Sequence, residues 1–450
     1  MLAVVFFMFL MPVLMMAQVL TIEPAKPRIG DPITITYNAK EPEALLKGTT
    51  DLRAQVLLIP TDGVPTLVTV PLVEHALGSL GTFVLRDEQT RLLAVNVEAG
   101  SKKDDNGGNS WTRLVYGSNG QPLENANVAY ATFLTGGGML DFSHERDYPS
   151  ALAAVAAERA CYPSNWRAFT TEWTVLMRQS RSTDSKPEIR GAVDSCFHTF
   201  GKNDTAASAL LYWLRQVGET ARADSLQRAA ILKQPHGVIA LGVRQSAISA
   251  ERDPGSRAAL LERLLEEFSL NRNSLRTYQG ALFSCFVQLH QLDSALAVAE
   301  RISDLRTDMF NEIAWNWIEK GENLEKAVAL AKRAVDEATN PPDSLKPSYI
   351  SDEQWKDYVT NSRAMILDTY GFGLSKLGRT GEAETAFDAA YHATKGDSPD
   401  VTERYMATLM KEGKYEEAVA VGKEVLEMGK SNETKAEGVS VLRERKTRGI

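Results

Sequence analysis

The stretch ILDTYGFGLSKLGRTGEAETAFDAAYHA, Ile366 to Ala393, decides the fold of the second half of the chain. Leu367, Tyr370, Gly371 and Leu374 recur three and four residues apart, on one face of a first helix. Gly378 and Gly381 are expected to make a turn, after which Ala383, Phe387 and Ala390 resume helical spacing on a second helix. Small residues such as Gly371 and Ala383 let the two helices approach closely. Phe387 is expected to fill the gap toward the next pair.

The same plan recurs on both sides. Downstream, TERYMATLMKEGKYEEAVAVGKEVLEM (402–428) repeats it through Tyr405, Leu409, Gly413, Tyr415 and Ala418, with Gly422 where a large side chain is usual. Upstream, NEIAWNWIEKGENLEKAVALAKRAVDEA (311–338) carries it through Ala314, Gly321, Ala327, Ala331 and Ala334. ALFSCFVQLHQLDSALAVAERIS (281–303) fits through Leu282, Phe286, Leu292, Ala295 and Ala299, and ALLYWLRQVGETARADSLQRAA (209–230) fits more loosely. Units of about thirty to forty residues with this pattern resemble the tetratricopeptide repeat. The resemblance implies an α-solenoid over 281–430, whose helix pairs stack and leave a concave surface for a peptide or another protein. Residues 150–280 are rich in Ala, Leu, Glu and Arg and read as helical, with degenerate repeats at most; Pro149 and Ser150 open the first helix.

The first part of the chain has a different texture. Residues 1–17, MLAVVFFMFLMPVLMMA, are almost wholly apolar, as in the hydrophobic region of a secretory signal peptide, although no Lys or Arg precedes Lys26. The alternative is a buried apolar strand or helix. From Val19 to Leu134 short runs rich in Val, Leu and Ile alternate with Gly, Pro, Asp and Asn; Ile33, Ile35 and Tyr37 show the two-residue period of a half-buried strand. Roughly seven such strands point to an immunoglobulin-like β-sandwich over 18–140. The expected architecture is therefore multidomain, β followed by α, with 431–450 as a last helix or an interrupted end.

Composition excludes several functions. Of 450 residues 44% are hydrophobic and 24% charged, and the net charge of −8 comes without a basic run, so nucleic acid is not expected as a partner. After the leader no stretch is long and apolar enough to span a bilayer. No Gly-rich nucleotide loop, nucleophile elbow or zinc-protease helix occurs, and six scattered histidines give little for acid–base chemistry. No cofactor, metal or catalytic residue is expected. Asp104, Asp105 and Asn106 offer oxygen ligands for Ca²⁺, but Asp-Asn-Gly is ordinary hairpin chemistry, and neither His75 nor His144 has partners in the sequence. Of Cys161, Cys196 and Cys285, the first two fall near ends of expected helices and could pair in an oxidising compartment; buried free thiols are the alternative. Trp166, Phe169 and Trp173, three and four apart, could line a glycan or peptide groove or pack as an aromatic stripe against the sandwich.

Taken in order, the apolar leader, the GDPITITYNA opening (30–39), the helix bearing Asn165-Trp166-Arg167-Ala168 and the repeats resemble the N-terminal regions of large bacterial extracytoplasmic thiol:disulfide interchange proteins. That resemblance implies export and a thioredoxin-like domain beyond the repeats. Its signature, Trp-Cys-x-x-Cys, is absent here, so no redox residue is carried over. The sequence is thus read as an exported binding scaffold, with the front of such an oxidoreductase and a glycan-acting protein as the other readings.

Overall fold

The computed structural model describes residues 18–428 apart from 77, 180–185, 303–305 and 397. The apolar leader (1–17) and the 431–450 segment lie outside the described residues. The chain divides into two compact units, Met1–Ala223 and Asp224–Ile450.

In the first unit one antiparallel sheet joins β1 (Leu20–Glu23), β2 (Pro32–Tyr37), β6 (Gly78–Val84) and β5 (Val73–His75) in that order. The other joins β4 (Thr66–Pro71), β3 (Arg53–Pro60), β7 (Thr90–Ala99) and β8 (Lys102–Asp104), with β9 (Trp111–Leu114) also paired to β7. In β2 the expected alternation holds: Ile33, Ile35 and Tyr37 are fully buried and the residues between them are not. Strands β3 and β7 are instead buried almost continuously, because both of their faces are covered. Val56, Leu58, Leu93 and Val95 meet Ile33 and Ile35 between the sheets. Leu57, Ile59, Leu92 and Ala94 meet Ala129 and Phe133 of a helix on the other side.

That helix, α1 (Ala126–Gly136), corrects the expectation of strand as far as Leu134. Val, Tyr, Thr and Phe in ANVAYATFLTG favour strand locally, but tertiary packing overrides the preference. Ala129 and Phe133 pack on the sheet, while Val128, Ala131 and Leu134 pack on α2 (Tyr148–Cys161) and α3 (Trp166–Gln179). A short ribbon of β10 (Gly138–Met139) and β11 (Phe142–Ser143) follows α1. Pro149 lies in the first turn of α2 as expected, behind an Asp147 cap.

A buried carboxylate ties these three helices together. Glu158 of α2 has no exposed surface. Its Oε1 accepts from the backbone N–H of Asn125 at 2.6 Å and from Asn165 Nδ2 at 2.7 Å, and its Oε2 accepts from the Asn127 N–H at 3.3 Å. An anion here satisfies free amides at the N-terminus of α1 and opposes the positive end of its dipole. Asn165, just before α3, also donates to Asn125 Oδ1 at 2.9 Å. Three more helices follow: α4 (Lys186–Phe200), α5 (Asp204–Gln216) and α6 (Thr220–Lys233).

The second unit is a run of antiparallel helix pairs: α7 (Val238–Ala250) with α8 (Pro254–Glu267), α9 (Arg272–Gln288) with α10 (Leu292–Ala299), and α11 (Arg306–Lys320) with α12 (Leu324–Thr339). α13 (Asp352–Lys376) with α14 (Thr380–Thr394), and α15 (Pro399–Lys411) with α16 (Tyr415–Met428), complete it. One core runs through it from Ala240 to Val421. No pair can bury its apolar face alone, so neighbours stack, as in a solenoid. Ala314, Ala327, Ala331, Ala334, Ala383, Ala390 and Ala418 have no exposed surface, which places the expected small residues at the helix contacts.

The turn within a pair has one geometry wherever the sequence showed a repeat. Gly218, His290, Gly321, Gly378 and Gly413 all adopt a positive φ. In each case the next residue donates to the carbonyl five residues back, at 2.8–2.9 Å: Glu219 to Leu214, Gln291 to Phe286, Glu322 to Trp317, Arg379 to Leu374 and Lys414 to Leu409. This is the Schellman closure of a helix C-terminus. Gly381 does not belong to it; it lies in the first turn of α14. His290 alone among the five holds the left-handed position with a β-carbon, at φ 56°. His290→Gly is expected to gain about 0.5 kcal/mol, and Gly378→Ala, where no atom obstructs the new carbon, to lose about 1 kcal/mol. Urea denaturation of the two variants beside the parent checks the opposite signs.

Candidate functional site: a groove on the first helices of three pairs

The first helices of the last three pairs, α11, α13 and α15, line a groove of about 790 Å³. Helical spacing builds each wall. Asp308, Asn311, Glu312 and Trp315 fall at i, i+3, i+4 and i+7 on α11. Tyr358, Asn361, Ser362, Met365, Asp368 and Thr369 continue the same periodicity along α13, and Asp400, Val401 and Arg404 come from α15. The groove depends on the length of α13, whose Ser351 cap closes a reciprocal box with Gln354 and starts the helix fourteen residues before Ile366.

At one end Asp308 bridges the walls, accepting from Tyr358 Oη and Ser362 Oγ at 2.8 Å each. Burial, then the bond to Asp308, pushes the Tyr358 hydroxyl up to about 12. Trp355 stacks on the Tyr358 ring, with centroids 5.3 Å apart. At the other end the Arg404 guanidinium is bonded to Asp368 Oδ2 and lies against two rings, 5.2 Å from the centre of Trp315 and 5.1 Å from that of Phe372. Cation–π contact and the ion pair together hold Arg404 in place.

Asp368 is the unusual group. It is only 8% exposed, and its Oδ1 has no hydrogen-bond partner. Burial raises its carboxyl to about 6, against the pull of Arg404 and with a further push from Asp400. Asn311 Oδ1, on the facing helix, is also buried without a partner. Partial desolvation raises the Glu312 carboxyl as well.

The sign of the Asp368 effect on stability follows by linkage. The folded chain holds this proton more tightly than the unfolded chain does, so the stability it contributes is complete below the ordinary value of 3.8 and is lost as pH rises through about 6. Unfolding free energies of parent and Asp368→Asn at pH 4.5 and 7 are expected to show the variant gaining on the parent as pH rises, the difference shifting in its favour across that interval. An identical pH dependence in both proteins would remove the assignment.

No protein-family model matches the chain, and no curated protein does. Among solved structures it is similar to YrrB, described as a TPR protein with an unusual peptide-binding site, at 14% identity over 49% of this chain and 97% of that one, with a TM-score of 0.31. A tetratricopeptide repeat protein from Parabacteroides merdae is similar at 12% identity over 71% and 98%, TM-score 0.24. The anaphase-promoting complex assembly Cut9–Hcn1 matches at 13% identity over 71% of this chain and 56% of that one, TM-score 0.29.

The residues singled out in the sequence do not line this groove; they hold the helices that do. A β-carbon at Gly371 would come within 3.0 Å of Phe387 Cε1, so the glycine admits Phe387 within its own pair. Gly373, overlooked in the sequence, does that work toward the preceding pair: a β-carbon there would meet Val328 at 2.7 Å and Ile318 at 2.8 Å. Tyr405 is buried and donates to Asp388 at 2.6 Å.

The cysteines, the Asp104–Asp105 pair and two of the three aromatic residues are accounted for by packing and hydrogen bonding. Cys161, Cys196 and Cys285 are all free, so the Cys161–Cys196 pairing is not made, and burial lifts the Cys196 thiol to about 11. Asp104 accepts from the distant Tyr37 Oη at 2.6 Å and Leu45 N–H as well as from the Asn106 N–H, and Asp105 accepts from Gly108, so their oxygens are engaged within the fold. Trp173 is buried edge-on against Trp213 of α5 and Phe169 packs on Phe200 of α4, so these two face helices, while Trp166 is half-buried with the Arg167 guanidinium 4.4 Å from its ring centre. Among the described residues no cluster of three or more His, Cys, Asp and Glu is arranged to hold a metal, and no helix is long and apolar enough to cross a membrane.

Proposed function

We propose that this chain is a binding scaffold whose helix-pair solenoid takes a protein or peptide segment into the α11–α13–α15 groove. The supporting observation is the groove itself: it presents polar and aromatic side chains in register from three successive first helices, with Met365 64% and Tyr358 41% exposed. A concave face of this kind is the usual contact surface of a stacked-pair fold. Placing a photo-crosslinking amino acid at Met365, and separately at Lys332 on α12, tests it. Adducts with one partner from Met365 and none from Lys332 are expected; equal labelling from both positions sinks the proposal.

The finer reading of the first unit as an immunoglobulin-like sandwich is supported by strand order. β1-β2-β6-β5 against β4-β3-β7-β8 follows the A-B-E-D and C-F-G arrangement of that fold, with β4 added beside C. Export through residues 1–17 remains part of the proposal, supported by their apolar run; fractionation of cells expressing the whole chain, with mass spectrometry of its N-terminus, decides it. Membership of a thioredoxin-like oxidoreductase rests on the order of segments alone, and a coding region without a Trp-Cys-x-x-Cys segment after Ile450 would end it.

A further inference from the structure

We infer that the groove selects a cationic partner: a lysine or arginine side chain, carried on an extended segment of another protein, seats against Asp368 between Glu312 and Asp400. The inference rests on the groove being the binding face and adds what it binds. Charge complementarity is the first support. The lining residues include four carboxylates, Asp308, Glu312, Asp368 and Asp400, and one guanidinium, Arg404. Three of the five are already engaged within the protein: Asp308 by Tyr358 and Ser362, Asp368 through its Oδ2 by Arg404, and Arg404 by Asp368 and the rings of Trp315 and Phe372. Glu312 and Asp400 have no cationic partner among the described residues.

The second support is independent of the carboxylate count. Asp368 is more than nine-tenths buried and lines the groove, yet Oδ1 accepts nothing. A buried acceptor without a donor carries a desolvation cost that an incoming N–H group removes. Asn311 Oδ1 on the opposite wall is a second acceptor without a donor. Both orphan atoms are acceptors, so the missing chemistry is a donor, and an ammonium or guanidinium supplies several donors at once. An acidic ligand would face Glu312, Asp368 and Asp400 with only Arg404, already bonded to Asp368, to offset them.

The probe is a phage library of random dodecapeptides selected on the immobilised whole chain. Enriched peptides are synthesised with fluorescein and measured by polarisation in low salt. The test variants are Glu312→Gln with Asp400→Asn, which remove only unpaired charges, and Met365→Trp, which fills the groove with a neutral side chain at an exposed position. Expected is a shared Lys or Arg in the enriched set, about tenfold weaker binding to the double variant, loss of binding to Met365→Trp, and unchanged circular dichroism in both. Enriched peptides that lack a common cation, or are acidic, and still fail on Met365→Trp overturn the cation inference while leaving the groove as the binding face. Peptides indifferent to Met365→Trp, or no enrichment at all, overturn both.

Discussion

Phe387→Ala is expected to lower the opening free energy of α13 and α14 by about 3–5 kcal/mol, the usual loss for a buried phenylalanine. Phe387 is 1% exposed and its ring lies against the space where Gly371 has no side chain. Truncation therefore leaves a cavity beside a glycine, and neither helix can supply a side chain to refill it. Hydrogen exchange read by mass spectrometry is the appropriate measurement, because a stacked array need not unfold in one step. Amides of α13 and α14 should exchange roughly a hundred to a few thousand times faster, with the sheets of the first unit unaffected. A loss under about 1 kcal/mol would mean that the Gly371–Phe387 contact is not what joins the pair.

Glu158→Leu is expected to destabilise the first unit by about 3 kcal/mol or more, although it replaces a buried charge with a shape that fits an apolar core. Ordinarily such a swap is neutral or stabilising when both partners of an ion pair go together. Here the partners are the Asn125 and Asn127 amides and the Asn165 side chain, which remain and lose their acceptor. Buried donors left unpaired cost about 1–3 kcal/mol each. Glu158→Gln should fall between parent and Glu158→Leu, since its one remaining carbonyl oxygen can serve only some of the donors. Thermal unfolding followed in the near-ultraviolet, where Trp166 and Trp173 report on α3, orders the three proteins; equal midpoints for Leu and Gln would contradict the account.

The parts of the molecule legible in the sequence are those governed by apolar period. Ile33, Ile35 and Tyr37 declared a half-buried strand, and Ala383, Phe387 and Ala390 declared a helix face, because in each case one side of the element is buried and the other is not. The α1 segment misled because it is covered on two sides, which erases the period and leaves only residue preference. The groove was illegible for the opposite reason. The N-terminal half of α13, DEQWKDYVTNSRAM, has little buried surface and so no apolar signal, yet it carries Tyr358, Asn361, Ser362 and Met365. A polar pattern at i, i+3, i+4 and i+7, shared by Asp308 to Trp315 and Tyr358 to Met365, was the available sign. Glu158 left no trace of its role, since its partners lie thirty-one to thirty-three residues earlier and seven later.

The five left-handed turns also say how such a chain tolerates change in length. Within a pair, the closing hydrogen bond fixes the count of residues, so an insertion between Gly378 and Arg379 would break a carbonyl contact that all five turns share. Between pairs the joints differ: α14 ends in the same closure, with Lys395 left-handed and Gly396 donating to the Tyr391 carbonyl at 3.1 Å, whereas α12 reaches α13 through a longer passage containing its own 3₁₀ turn, Asp343–Leu345. New sequence, whether a tag, a linker or a partner's epitope, is best carried by that longer passage, residues 340–351, and because it leads into the groove-forming half of α13, added length there would be felt by whatever the groove holds.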